Sequence, residues 1–176
     1  IAKAINFGII FGQGPQGLSQ VADISYAEAK QFIATYFEVY KGIQEYMTQT
    51  KALAHTQGYV ETLSGRRRYL PDLASSMHQL RAQAERMAIN MPIQGTDSDL
   101  MKRAMIQVMA GLPQQSEQAV LLLQVHDELV LEVPDAEIKR IAAWVKETME
   151  SAEKFGVPIV VEAKAGKNWA ELEKLS

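Results

Sequence analysis

At 176 residues and 47% hydrophobic content, the chain is long enough to bury a sizeable core and corresponds to about one domain or two small lobes. It has no cysteine, which excludes disulfides and thiolate metal sites and points to a reducing compartment. Its net charge of -3 argues against a generic nucleic-acid binder.

The charges are nevertheless uneven. From Gly111 to Ser176 there are seven Lys/Arg against twelve Asp/Glu, while Arg66 to Pro92 holds five arginines against Asp72 and Glu85. A basic patch is therefore local. No apolar run approaches the roughly 20 residues needed to span a bilayer, and the N-terminus carries no signal-peptide pattern, so a soluble, cytoplasmic protein is expected.

In chain order, Ile1 to Phe11 has helical spacing in Lys3, Phe7 and Phe11, without an N-cap or a preceding turn. The chain is thus expected to begin inside a helix, as a fragment would. Lys3 and Phe7 share a face, offering a cation for a triphosphate and a ring to pack on a sugar or base; taken alone, a plain core or surface pair is the better default. Gly12 to Gly17, with Pro15, breaks the pattern. Ser25 starts a helix whose apolar face is Ala29, Phe32, Ile33, Tyr36 and Phe37. Tyr59 to Leu70 reads as a hairpin turning near Ser64-Gly65 and ended by Pro71-Asp72.

Ser76 to Ala110 is a long helical pattern with a kink expected at Pro92, which has no N–H for the carbonyl one turn back. On it Arg86, Asn90 and Gln94 are four apart and form a stripe. All three can donate hydrogen bonds. Every base pair presents N3 or O2 acceptors in the minor groove, so a row of donors grips a duplex without reading its sequence. The alternative is a solvated face opposite Ala84, Met87, Ala88 and Met91. Arg66, Arg67 and Arg68 likewise suit phosphate contacts or plain surface.

Ala119 to Val133, AVLLLQVHDELVLEV, pairs two β-prone runs through His126-Asp127-Glu128, expected as a hairpin turn. Two carboxylates and an imidazole then share one exposed tip. Hard divalent cations such as magnesium take carboxylate oxygens, and phosphoryl transfer uses them to neutralise phosphate charge, although turns collect Asp and Glu for solvation too. Beyond it, Asp135 is expected to cap a helix to about Ala152, and Pro158 to Ala163 to form a final strand. Strands and helices mix without regular alternation, so the class is α+β.

Four segments, AKAINFGIIFG (Ala2 to Gly12), GYVETLSGRRRYLPDL (Gly58 to Leu73), AERMAINMPIQGTDSDLMKRAM (Ala84 to Met105) and LLQVHDELVLEVP (Leu122 to Pro134), resemble in order and spacing the C-terminal part of family A DNA polymerases, the bacterial DNA polymerase I type. The resemblance covers essentially the whole chain. HDE followed by a strand is similar to the DNA-polymerising branch rather than to single-subunit RNA polymerases. It implies a helical fingers portion over residues 1–72, truncated at its N-terminus, and a palm portion over 73–176 with an antiparallel sheet and long helices.

It also implies roles. Asp127 matches the palm carboxylate that binds catalytic Mg2+, Glu128 its neighbour of lesser or indirect role, and His126 a residue near the primer 3′ end. Lys3 matches a lysine on the phosphates of the incoming dNTP, and Phe7 an aromatic on its sugar that influences acceptance of chain terminators. Phe11 stands where the family usually has tyrosine, leaving a ring to stack and no hydroxyl. Arg86, Asn90 and Gln94 match residues near the minor groove of primer-template DNA, and Arg68 one near the template strand. The family's second metal-binding aspartate lies in an earlier motif resembling DYSQIELR, which does not occur here. The upstream arginine of the nucleotide-binding helix, the thumb and any exonuclease domain are likewise not in this sequence. The missing polymerase segments are expected in cis or from another chain, and the isolated chain is expected to be inactive. A noncatalytic DNA-binding module is the alternative reading. A metal-dependent nuclease would leave the nucleotide-binding helix without a purpose.

Overall fold

The computed structural model describes residues 2–175, so Ile1 of the expected opening helix lies outside the described residues. Among these, six α-helices and three separate two-stranded antiparallel sheets make an α+β fold. The chain divides into two compact units, 1–96 and 97–176. The expected fingers and palm boundary at 72/73 falls within the first.

In the first unit, α1 (Ala2–Ile10) puts Ile9 into a core with Leu18 of α2 (Pro15–Ala22) and Ala29 of α3 (Tyr26–Val39). The Gly12 to Gly17 break is shorter than expected, because Pro15 starts α2: its fixed φ and missing N–H suit the first helical position. Ser25 opens α3 with a full capping box. Its hydroxyl accepts from the Glu28 N–H, and the Glu28 carboxylate accepts from the Ser25 N–H. A helix that the sequence reading did not draw, α4 (Lys41–Gln57), follows and ends at Gly58 in the left-handed region (φ 76).

Next come β1 (Tyr59–Glu61) and β2 (Arg67–Tyr69), paired Tyr59 with Tyr69, Val60 with Arg68 and Glu61 with Arg67. Their turn lies where expected, with Gly65 at φ 80. A second core joins Ala54, Val60, Leu70 and Leu73 to Ala84, Ala88 and Met91 of α5 (His78–Gln115). This helix runs continuously through Pro92 and five residues beyond the expected Ala110, with Pro113 in its last turn.

In the second unit, Met101, Ala104, Val108 and Leu112 recur every three or four residues along α5 and pack with Ile141, Val145 and Met149 of α6 (Ile138–Glu150). A Cβ on Gly111 would come within 2.7 Å of Trp144 Cζ2, so glycine permits the approach of the two helices. Leu121 of β3 (Val120–Val125) and Leu129 and Leu131 of β4 (Glu128–Glu132) cover the same core.

Two expectations here are corrected. Asp135 does not cap α6; it opens a short 3-10 turn, and Glu137 precedes the helix without a side-chain cap. Pro158 to Ala163 is not a strand. Ile159 and Val161 do pack on the core, but Pro158 has no N–H and the Val161 N–H donates to Glu150 Oε1 at 2.9 Å, so no ladder forms. The last pairing is instead between β5 (Lys164–Ala165) and β6 (Glu173–Lys174).

Candidate active site

Each unit carries a group of candidate residues. In the first, Lys3, Phe7 and Phe11 form one stripe. Lys3 Nζ stands 5.7 Å from the Phe7 ring centroid, and the Phe7 and Phe11 centroids are 5.8 Å apart. Phe7 is 46% exposed although Ile9, two residues on, is 1% exposed; α1 therefore buries one face and presents the other. Tyr36 OH donates to Asn6 Oδ1 at 2.8 Å, fixing α1 against α3.

The helix end then meets the second group. Gly12 holds φ 81, and a Cβ there would lie 3.2 Å from Arg86 Cγ and 3.4 Å from Ile89 Cδ1. The structure thus brings the stripe of α1 and the stripe of α5 together at Gly12 and Arg86. Arg86 and Gln94 are exposed and Asn90 is half-buried. Among the described residues, Asn90 Oδ1 is the buried side-chain polar atom without a hydrogen-bond partner. Beside Arg86, Glu85 accepts from Lys51 Nζ (3.2 Å) and His55 Nε2 (3.1 Å) of α4. Burial raises the Glu85 carboxyl pKa, but the hydrogen bonds and charges of His55 and Lys51 outweigh it and leave it below the ordinary value. Arg68, exposed on β2, donates from Nη2 to Met87 Sδ on α5 at 3.5 Å.

In the second unit, Val125 pairs with Glu128, so the turn consists of His126 and Asp127 alone, and Glu128 is the first residue of β4 rather than part of the turn. His126 sits at φ 53. A two-residue hairpin favours positive φ at its first central position, and the conformation is uncommon but accessible to His. Gln124 Nε2 donates to the His126 carbonyl at 2.6 Å and braces the tip. Sequence reading passed over Gln124, whose signal was a lone polar residue within the apolar run of β3. A bulge between Leu121 and Leu123 adds twist to the strand that carries the tip.

His126, Asp127 and Glu128 are all exposed. Among the described residues, no three His, Cys, Asp or Glu side chains are grouped to hold a metal ion. Asp127 and Glu128 nonetheless supply the hard oxygen donors that suit Mg2+, which usually binds one or two carboxylates and completes its shell with water and substrate phosphates. The donor set fits a partial magnesium site. No helix among the described residues is long and apolar enough to cross a membrane.

Residues 1–171 match the model of DNA polymerase family A. The chain belongs to this family. Among its family A relatives, thermostable DNA polymerase I of Thermus filiformis is 48% identical over 98% of the chain, and DNA polymerase I of Bacillus caldotenax is 48% identical over 96%. The chain spans only 20% and 19% of their lengths, so it corresponds to a fragment of such a polymerase. Among solved structures it is similar to the POL domain of Pol1 from M. smegmatis, in complex with DNA primer-template and dNTP. The TM-score is 0.84 at 41% identity, covering 89% of this chain and 28% of that one.

Proposed function

We propose that the chain is the fingers and palm portion, residues 1–72 and 73–176, of a DNA-directed DNA polymerase acting in replication or repair. In the completed enzyme, the primer 3′-hydroxyl gives up its proton to water and its oxygen attacks the α-phosphorus of a dNTP; a P–O bond forms as the bond to pyrophosphate breaks. Lys3 holds the phosphates of the incoming nucleotide, Phe7 packs on its sugar and Phe11 stacks alongside. Arg86, Asn90 and Gln94 grip the minor groove, Arg68 meets the template strand, and His126 lies near the primer end. Asp127, with Glu128 beside it, would hold magnesium. When bound, that ion supplies neutralisation of charge on the attacking and leaving oxygens.

The observation that carries this reading is the likeness of nearly the whole chain to a polymerase domain solved with DNA primer-template and dNTP. Primer extension is the test. A polypeptide completed with the segments its relatives have is expected to extend a primer on a template with Mg2+. The 176-residue chain, without the second aspartate motif, is expected to give none; no extension by the completed polypeptide would contradict the reading.

A further inference from the structure

The three consecutive arginines of the first hairpin do not share one role. Side chains alternate along a strand, and the pairing of Val60 with Arg68 and of Glu61 with Arg67 puts the two arginines on opposite faces. Val60 is 1% exposed, so the Arg68 face is the one turned to the core, where Arg68 reaches Met87 on α5. The Arg67 face carries a ladder of its own. Arg67 Nε donates to Glu61 Oε1 at 2.6 Å, its guanidinium carbon lies 4.7 Å from the Tyr59 ring centroid, and Tyr59 faces Tyr69 across the strands with centroids 5.5 Å apart.

We propose that Arg67 is a positioning residue that locks the β1 and β2 register through Glu61, Tyr59 and Tyr69 and so presents Arg68 toward α5, rather than a phosphate contact in its own right. This rests on the DNA-binding role proposed above. A guanidinium stacked on a ring and bound through Nε to a carboxylate already has its charge and that donor engaged, and turning it to a phosphate would forfeit both contacts. Hydrogen bonds to Glu61 and Tyr69 raise the Arg67 pKa further, consistent with a cation held by its own neighbours. Two short strands of three residues have few ladder bonds, so cross-strand side-chain pairs decide how firmly the hairpin holds its register.

The experiment is a titration of primer-template DNA at several salt concentrations, with the completed polymerase and its Arg67→Gln, Glu61→Gln and Arg68→Gln variants. Loss of a true phosphate contact lowers the steepness of log K against log salt by about 0.9. Arg68→Gln is expected to show that loss. Arg67→Gln and Glu61→Gln are each expected to weaken binding roughly fivefold, through lost preorganisation, with the parental slope. Glu61→Gln discriminates most sharply, because it removes the negative charge paired with Arg67. If Arg67 were a phosphate contact restrained by Glu61, that variant would bind more tightly. Tighter binding by Glu61→Gln, a reduced slope in Arg67→Gln, or unchanged affinity in both would overturn the proposal. Thermal melts of each variant separate a lost hairpin register from global unfolding. A parent that fails to bind primer-template DNA at all would instead overturn the polymerase reading on which the inference rests.

Discussion

Gly12 lies against the stem of Arg86 so closely that a methyl group on its Cα would stand 3.2 Å from Arg86 Cγ. This contact joins the end of the helix carrying Lys3 and Phe7 to the helix carrying Arg86, Asn90 and Gln94, and two separate demands keep glycine there. The backbone is at φ 81, which side chains rarely adopt, and a Cβ would need Arg86 or Ile89 to give way by a few tenths of an ångström.

Replacing Gly12 by Ala should therefore destabilise the protein by roughly 1–3 kcal/mol, measured by chemical denaturation. Gly42→Ala is the contrast. It lies in α4, where a Cβ meets nothing within 4 Å, and should stabilise by roughly 0.5 kcal/mol through reduced freedom of the unfolded chain. Equal effects at both positions would contradict the packing described.

The Glu85 cluster gives a pH dependence. The carboxyl lies below its ordinary value of 4.5 because His55 and Lys51 outweigh burial. A depressed carboxyl stabilises the fold fully above its unfolded value, and that contribution is lost as pH falls through the lower folded value. Glu85→Gln should thus be less stable than the parent at neutral pH, and the gap should close as pH falls below 4.5. Denaturation midpoints across that range are the measurement; a gap that widens on acidification would contradict the sign.

Much of the fold was legible where local chemistry and tertiary packing agree. Ser25 and Glu28 spell a capping box, Ser64-Gly65 a turn, and the β-prone runs around His126-Asp127 a hairpin. The misses have physical causes. The α4 helix has few strongly apolar residues and buries little beyond Ala54, so its periodicity was faint. At Ile159 and Val161 the alternation reports a buried face truthfully, yet the hydrogen-bond partner is the distant Glu150 side chain, which strand patterning does not contain. The His126-Asp127-Glu128 triplet was legible as a tip, but its division into two turn residues and one strand residue depends on register. The approach of Gly12 to Arg86 joins residues 74 positions apart in a chain without internal repeats, and local spacing carries no trace of it.

Phe7 tests the nucleotide role separately from the DNA role. Its ring is half exposed, flanked by Lys3 and Phe11, so it is available to a ligand. In the completed enzyme, Phe7→Tyr should change discrimination between deoxy and dideoxy nucleotides, because a hydroxyl at the ring tip alters relative transition-state binding where the sugar lacks its own. Single-nucleotide incorporation with each substrate, beside a duplex titration, is the measurement. Unchanged discrimination with a large loss of duplex affinity would favour a noncatalytic binding module.

The most direct test of the central claim is primer extension by the completed polymerase carrying Asp127→Ala. Asp127 is exposed at the turn and contributes to no core cluster, so the variant should melt within about 0.5 kcal/mol of the parent. Turnover should fall by roughly a thousandfold or more, as expected when charge stabilisation at the transition state is removed. A folded Asp127→Ala enzyme that extends primers at the parental rate would contradict the assignment of this hairpin tip to the catalytic site.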